Sequence, residues 1–125
     1  MNSHMIVYMD GSALVKRAET GPGSELAADL WDSADRIVSS ELACSEAGAT
    51  TALPQAMLDR LEIVQTDDQL SDAADELAER HGLDTSESVH LASALSIDAP
   101  RVVVASWNPA LATASAACGL AVVPR

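Results

Sequence analysis

The 125-residue chain contains no phenylalanine, one tyrosine and two tryptophans, and it carries only seven lysines and arginines against 19 aspartates and glutamates. The resulting net charge of −12 repels a polyanion on average, and no basic stripe with interleaved aromatics occurs, so nonspecific nucleic-acid binding is disfavoured. Long apolar runs are scarce too. Runs such as VVVA at 102–105 and LAVV at 120–123 fall far short of the roughly 20 residues that a membrane-spanning helix needs. The opening MNSHM has no signal-peptide core and reads as a cloning remnant over residues 1–4, which leaves 5–125 as the domain, expected in the cytoplasm. Cys44 and Cys118 lack CxxC or histidine spacing and read as reduced core thiols, neither disulfide nor metal pair.

What is present is a hydrophobic fraction of 48%, enough at this length for one ordinary core and not for two. Short β-branched runs alternate with longer helical periods, and neither a low-complexity linker nor an internal repeat interrupts them. Strands are expected at 5–9, 36–40, 62–65, 101–106 and 120–123. Helices are expected at 12–18, at 24–31 with Ser24 as its cap, at 41–52, and in a further piece with Pro54 in its first turn. Leu70, Ala73, Ala74, Leu77 and Ala78 then recur at helical spacing, opened by the box Thr66-x-x-Gln69 and closed by Gly82. Helices at 85–96, with Leu91 and Leu95 on its buried side, and at 108–117 complete the set. Strands joined through helices form a parallel sheet covered on both faces, so the fold class is α/β: a single-domain three-layer α/β/α sandwich with a mainly parallel, roughly five-stranded sheet. Sites in such sheets lie outside the carboxyl ends of the strands.

Asp10 stands at one such end, after MIVYM, and the tripeptide Ser106-Trp107-Asn108 stands at another. An ionised carboxylate there is costly to bury without helix amides or a cation against it, although Asp10 also reads simply as the cap of the helix at 12–18. Glu46 lies among Ala43, Ala47 and Ala49, small residues that let a carboxylate face a packed neighbour or solvent. Glu87 follows Asp84 at capping-box spacing and opens an apolar helix. His90, three residues after an acid on that helix, reads as a buried, hydrogen-bonded residue and not a general base, and Trp107 reads as packing.

Taken together, MIVYMDGSALVK, VSSELACSE, GLDTSESVHLASAL and VVVASWNPALATASAACGLAVV occur in the order and on the elements of the PIN domain family. The chain resembles most closely its VapC-like toxins from bacterial toxin-antitoxin pairs, over nearly its whole length. That resemblance implies an acidic group holding one or two Mg²⁺ or Mn²⁺ ions that cleaves RNA phosphodiesters. It assigns the metal and catalytic positions to Asp10, Glu46, Glu87 and Asn108, with Ser106 as an accompanying hydroxyl. Lys16 and Arg17, together with Ser12, are the candidates to meet RNA phosphate at the rim. It further implies a VapB-like antitoxin with a basic segment, and a homodimer formed through helical surfaces at 12–33 or 41–60.

Three departures from the family pattern stand out. Glu87 and Asn108 occupy positions where the family usually has aspartate, so one side chain is a methylene longer and another offers no charge. The connector from Glu46 to the strand at 62 is also short. The expectation is weaker metal binding than four carboxylates would give, and the alternative is an impaired PIN-like module that acts by binding a partner. Haloacid-dehalogenase-like phosphatases are excluded because Ser12 stands where a second aspartate is needed. A receiver domain is excluded because the last strands contain no lysine.

Overall fold

The structure, a computed structural model, describes residues 5–125, so the reading of 1–4 as a cloning remnant lies outside the described residues. Five strands form one sheet: β1 (Ile6–Met9), β2 (Arg36–Ser40), β3 (Glu62–Val64), β4 (Val102–Ala105) and β5 (Ala121–Val123). Their order is β3-β2-β1-β4-β5, and every neighbouring pair is parallel. All four residues of β1 and of β4 are buried, as a strand covered on both faces requires, whereas the edge strands β3 and β5 have no fully buried residue.

Among the described residues, seven helices cover the sheet: α1 (Gly11–Ala18), α2 (Ser24–Ser33), α3 (Glu41–Thr50), α4 (Gln55–Arg60), α5 (Asp68–His81), α6 (Thr85–Leu95) and α7 (Pro109–Ala117). Because successive strand residues point to opposite faces, Val7 and Met9 join Ile37, Val103 and Ala105 under α1 to α4, while Ile6 and Tyr8 join Val38, Val104 and Ala94 on the other side, towards α5 to α7. The three-layer sandwich expected from the sequence is therefore present, with its sheet wholly parallel. Both cysteines are free thiols, and burial raises the Cys44 pKa above its ordinary value. Among the described residues no helix is long and apolar enough to cross a membrane.

Four local expectations are corrected. The cap of α2 is Gly23, not Ser24. Its positive φ of 86° turns the chain, and Ser24 Oγ instead accepts from Gly21 N–H and donates to Gly21 O. A side chain at Gly23 would also strike the Trp107 indole, with its Cβ 3.0 Å from Nε1. The cap of α5 is Asp67, which accepts from Leu70 N–H at 2.8 Å, and Thr66 lies one residue outside. Ala73 is exposed although it follows the helical period. Leu95, the last residue of α6, is 41% exposed and lines an open groove beside α5, whereas Leu91 is fully buried.

Candidate active site

The site begins with register. Met9 of β1 pairs with Ala105 of β4, so the next residues, Asp10 and Ser106, leave the sheet side by side. The chain order reverses between these two strands, and this is where a parallel sheet opens a crevice.

Asp10 is 3% exposed and surrounded by donors. Its Oδ1 accepts from Ala13 N–H at 2.9 Å and from the Ser12 hydroxyl at 2.6 Å, and its Oδ2 accepts from the Ser106 hydroxyl at 2.6 Å. Asp10 thus caps α1 and also presents a fixed carboxylate at the crevice. The two hydroxyls are themselves held, Ser12 Oγ by Trp107 N–H at 2.9 Å and Ser106 Oγ by Asn108 N–H at 3.0 Å. The entry to α7 is stitched in this way to the first turn of α1.

Glu46 reaches the same crevice from α3. The helices α1 and α3 approach so closely at Gly11 that a Cβ there would lie 2.8 Å from Glu46 Cβ and 2.9 Å from its Oε1. Only glycine leaves Glu46 its place. Its Oε1 lies 2.7 Å from His90 Nε2, and its Oε2 accepts from the Ser86 hydroxyl. His90 is 4% exposed and hydrogen-bonded at both ring nitrogens, as the sequence led one to expect.

Glu87 completes the capping box of α6: it donates its N–H to Asp84 Oδ1 at 2.7 Å, and its Oε1 accepts from Asp84 N–H at 3.1 Å. Its second oxygen accepts from Asn108 Nδ2 at 3.0 Å. Asn108 caps α7, with Oδ1 accepting from Ala110 and Leu111 N–H. Glu87 thus caps α6 with one oxygen and holds the Asn108 amide with the other.

Asp10, Ser12, Glu46, Ser86, His90 and Asn108 line one cleft of about 270 Å³. Glu87 stands outside that lining, reaching it through Asn108, and Ser106 sits behind Asp10. Lys16 Nζ lies 5.9 Å from the centroid of Trp107, which is partly buried against the core as expected. Arg17 lies away from the cleft, its guanidinium 5.3 Å from Trp31, whose other neighbour is Arg60 at 5.0 Å. A roomier groove of about 620 Å³ beside α5 and α6 is lined by Leu70, Leu77, Ala92 and Leu95 and has no buried acid held by several donors. Sequence reasoning missed Gly11 and Ser86, although a glycine directly after an acid that ends a strand was a usable signal of close approach.

Among the described residues no cluster of three or more histidine, cysteine, aspartate or glutamate side chains is gathered to hold a metal. The donor set nevertheless fits one hard divalent cation, because Mg²⁺ is usually bound through one or two carboxylates with waters and substrate phosphates, and Asp10 and Glu46 share the cleft.

No protein-family model matches the chain. Two curated proteins of Mycobacterium tuberculosis are similar to it: Ribonuclease VapC45 of strain CDC 1551 / Oshkosh and Ribonuclease VapC49 of strain ATCC 25618 / H37Rv. Each is 36% identical, over 95% of this chain and 95% of the relative. A match of that depth and extent, on a five-stranded parallel sheet with an acid fixed at its switch point, places the chain in the VapC family of PIN-domain ribonucleases.

Proposed function

We propose that the protein is a cytoplasmic, metal-dependent endoribonuclease toxin that hydrolyses RNA phosphodiester bonds and is neutralised by a VapB-like antitoxin with a basic segment. The observation that carries this is the pairing of Asp10 and Glu46 in one cleft at the carboxyl edge of the sheet, each locked by serine or histidine donors. Asp10 and Glu46 would hold Mg²⁺ or Mn²⁺, with Glu87 and Asn108 beside them. Bound there, the cation would supply a water of lowered pKa and positive charge for the scissile phosphate.

The chain's own residues do the positioning. Three donors prevent Asp10 from rotating, so its oxygens need no reorganisation when a charged substrate arrives. Glu87 holds the Asn108 amide, whose oxygen is committed to two helix amides, and this makes Asn108 a wall of the cleft more than a strong ligand. Lys16, the chain's one lysine, stands beside Trp107 at the rim, where it would meet an RNA phosphate together with Ser12. Arg17 is the weaker candidate, because its guanidinium is spent on Trp31. We place homodimer contacts on the helical surfaces of 12–33 or 41–60.

The test is direct. End-labelled RNA incubated with the purified protein should be cut only when Mg²⁺ or Mn²⁺ is added and should be spared by EDTA. Intact RNA across a mixed pool, with Mn²⁺ bound by calorimetry, would sink the nuclease assignment.

Asn108→Asp checks the altered acid set. The aspartate keeps the α7 cap but replaces the Nδ2 donor with an oxygen about 3 Å from Glu87 Oε2, so two carboxylates face each other. The expected result is a lower melting temperature without metal, tighter Mn²⁺ binding, a larger stabilisation on adding Mn²⁺ than in the wild type, and faster RNA cleavage. An unchanged melting temperature in both conditions would show that Asn108 and Glu87 do not face the same ion.

A further inference from the structure

Glu46 is the acid of the proposed site that its own helix confines least. Its side chain is 36% exposed, its helix neighbours Ala43 and Ala47 are small, and a glutamate has three rotatable bonds to restrain. The restraint comes from α6, through His90 Nε2 and the Ser86 hydroxyl. His90 is in turn anchored in the sheet. Its Nδ1 lies 2.9 Å from the hydroxyl of Tyr8, a fully buried residue of β1, and that hydroxyl lies 3.1 Å from Ser40 Oγ. Ser40 caps α3 by accepting from Ala43 N–H at 3.1 Å, and α3 carries Glu46. The circuit Ser40, Tyr8, His90, Glu46 is closed by one turn and a half of helix.

The proton count in this circuit has one invariant. A carboxylate only accepts, so the proton between His90 and Glu46 rides on Nε2. The Tyr8 hydroxyl lies within hydrogen-bond reach of Nδ1 and of Ser40, with Ser93 as a further partner, so Nδ1 is engaged on the side away from Glu46. Burial pushes the Tyr8 hydroxyl well above its ordinary range, so it remains a neutral partner to the ring. With both nitrogens engaged, His90 has no free lone pair with which to take a proton from water or RNA.

We infer that His90 is a positioning residue for Glu46, its ring anchored at Nδ1 by Tyr8 and aimed at Glu46 through Nε2, and that it is not the general base of the cleft. The inference rests on the proposed metal site, in which Glu46 must be aimed at a cation. Outer partners of this kind fix ligand orientation, and their loss typically weakens metal binding by about 10- to 100-fold.

Four variants and one spectrum test it. In ¹⁵N-labelled, metal-free protein, the long-range imidazole spectrum should show His90 Nε2 carrying a proton, and a bare Nε2 would overturn the inference. By Mn²⁺ calorimetry, His90→Leu should bind at least about tenfold more weakly, whereas His90→Gln, whose amide N–H takes the place of Nε2–H, should stay within about threefold of the wild type. RNA cleavage should follow the same order. A His90→Gln protein that binds Mn²⁺ normally but cannot cut RNA would identify His90 as the base and overturn the positioning role. Equal loss of Mn²⁺ in the Leu and Gln variants would overturn it as well. Should His90→Leu fail to fold, Tyr8→Phe keeps the ring volume and is expected to weaken Mn²⁺ binding severalfold, and unchanged affinity counts against the inference. Asp10→Asn separates the two levels. Wild-type Mn²⁺ affinity in that variant removes the metal site and the inference together, whereas lost affinity there, with His90→Leu unaffected, removes only the inference.

Discussion

Asp10→Asn is expected to abolish measurable Mn²⁺ binding and to lower RNA cleavage by at least about 100-fold while the fold survives. The loss follows from the chemistry of the position: the one fully buried acid of the cleft would no longer carry the charge that a hard cation needs, and a cation's transition-state stabilisation of several kcal/mol corresponds to two or more powers of ten in rate. The fold survives because asparagine caps a helix about as well as aspartate, so the Oδ1 bonds from Ala13 N–H and Ser12 persist. At Oδ2 an amide N–H₂ would replace the acceptor facing Ser106, whose hydroxyl can turn and accept. We expect a stability change within about 1–2 kcal/mol, since a weaker bond to Ser106 is offset by removal of a buried charge. Thermal melting and Mn²⁺ calorimetry on the same sample decide it. A variant that binds Mn²⁺ like the wild type would show that the carboxylate of Asp10 is only a cap.

Gly11→Ala, a change of one methyl group, is expected to do nearly as much damage from a residue with no functional group. The new Cβ would sit 2.8 Å from Glu46 Cβ and 2.9 Å from Oε1, and the next atom in line is the Ala43 carbonyl at 3.5 Å. Helix propensity favours alanine over glycine by at most about 1 kcal/mol, and less at a first-turn position such as this. Overpacking costs about 1–3 kcal/mol, and it displaces either α3 as a body or the Glu46 side chain alone. The clash wins on magnitude. We expect a melting temperature lower by several degrees, together with Mn²⁺ affinity and RNA cleavage reduced by an order of magnitude or more. Melting and calorimetry at the wild-type level would mean that α1 and α3 separate without cost.

The strands and the covering helices were legible because each signal is local. MIVYM and VVVA are β-branched or apolar runs of strand length, and Gly82 ends α5 with a φ of 65°, a conformation that glycine adopts freely. The caps at Ser24 and Thr66 were misread for a local reason too: each has a neighbour, Gly23 or Asp67, that takes the cap position, and one residue's shift in the preceding turn decides between them. Leu95 continued a helical period but faces an open groove beside α5.

The acids of the site were flagged by position and by family likeness, but their partners were not. Ser86 meets Glu46 across 40 residues of sequence and Tyr8 meets His90 across 82, and no spacing rule links such pairs. The commitment of Asn108 and Glu87 to each other was equally hidden, because each had a sufficient local explanation as a cap.

The cleft draws its walls from both sides of the sheet. Asp10, Gly11 and Glu46 belong to the α1 and α3 layer, while Ser86, His90 and Asn108 come from α6 and α7 or the turn into α7. The active geometry is thus a clasp between the two helical layers, and its fasteners are the bonds Ser12 to Trp107, Ser106 to Asp10, and Glu46 to His90 and Ser86. Neither half contains the site. A ligand that bridges the clasp binds both halves at once and holds them together, so occupancy of this cleft acts on the cohesion of the whole molecule and not on one local element.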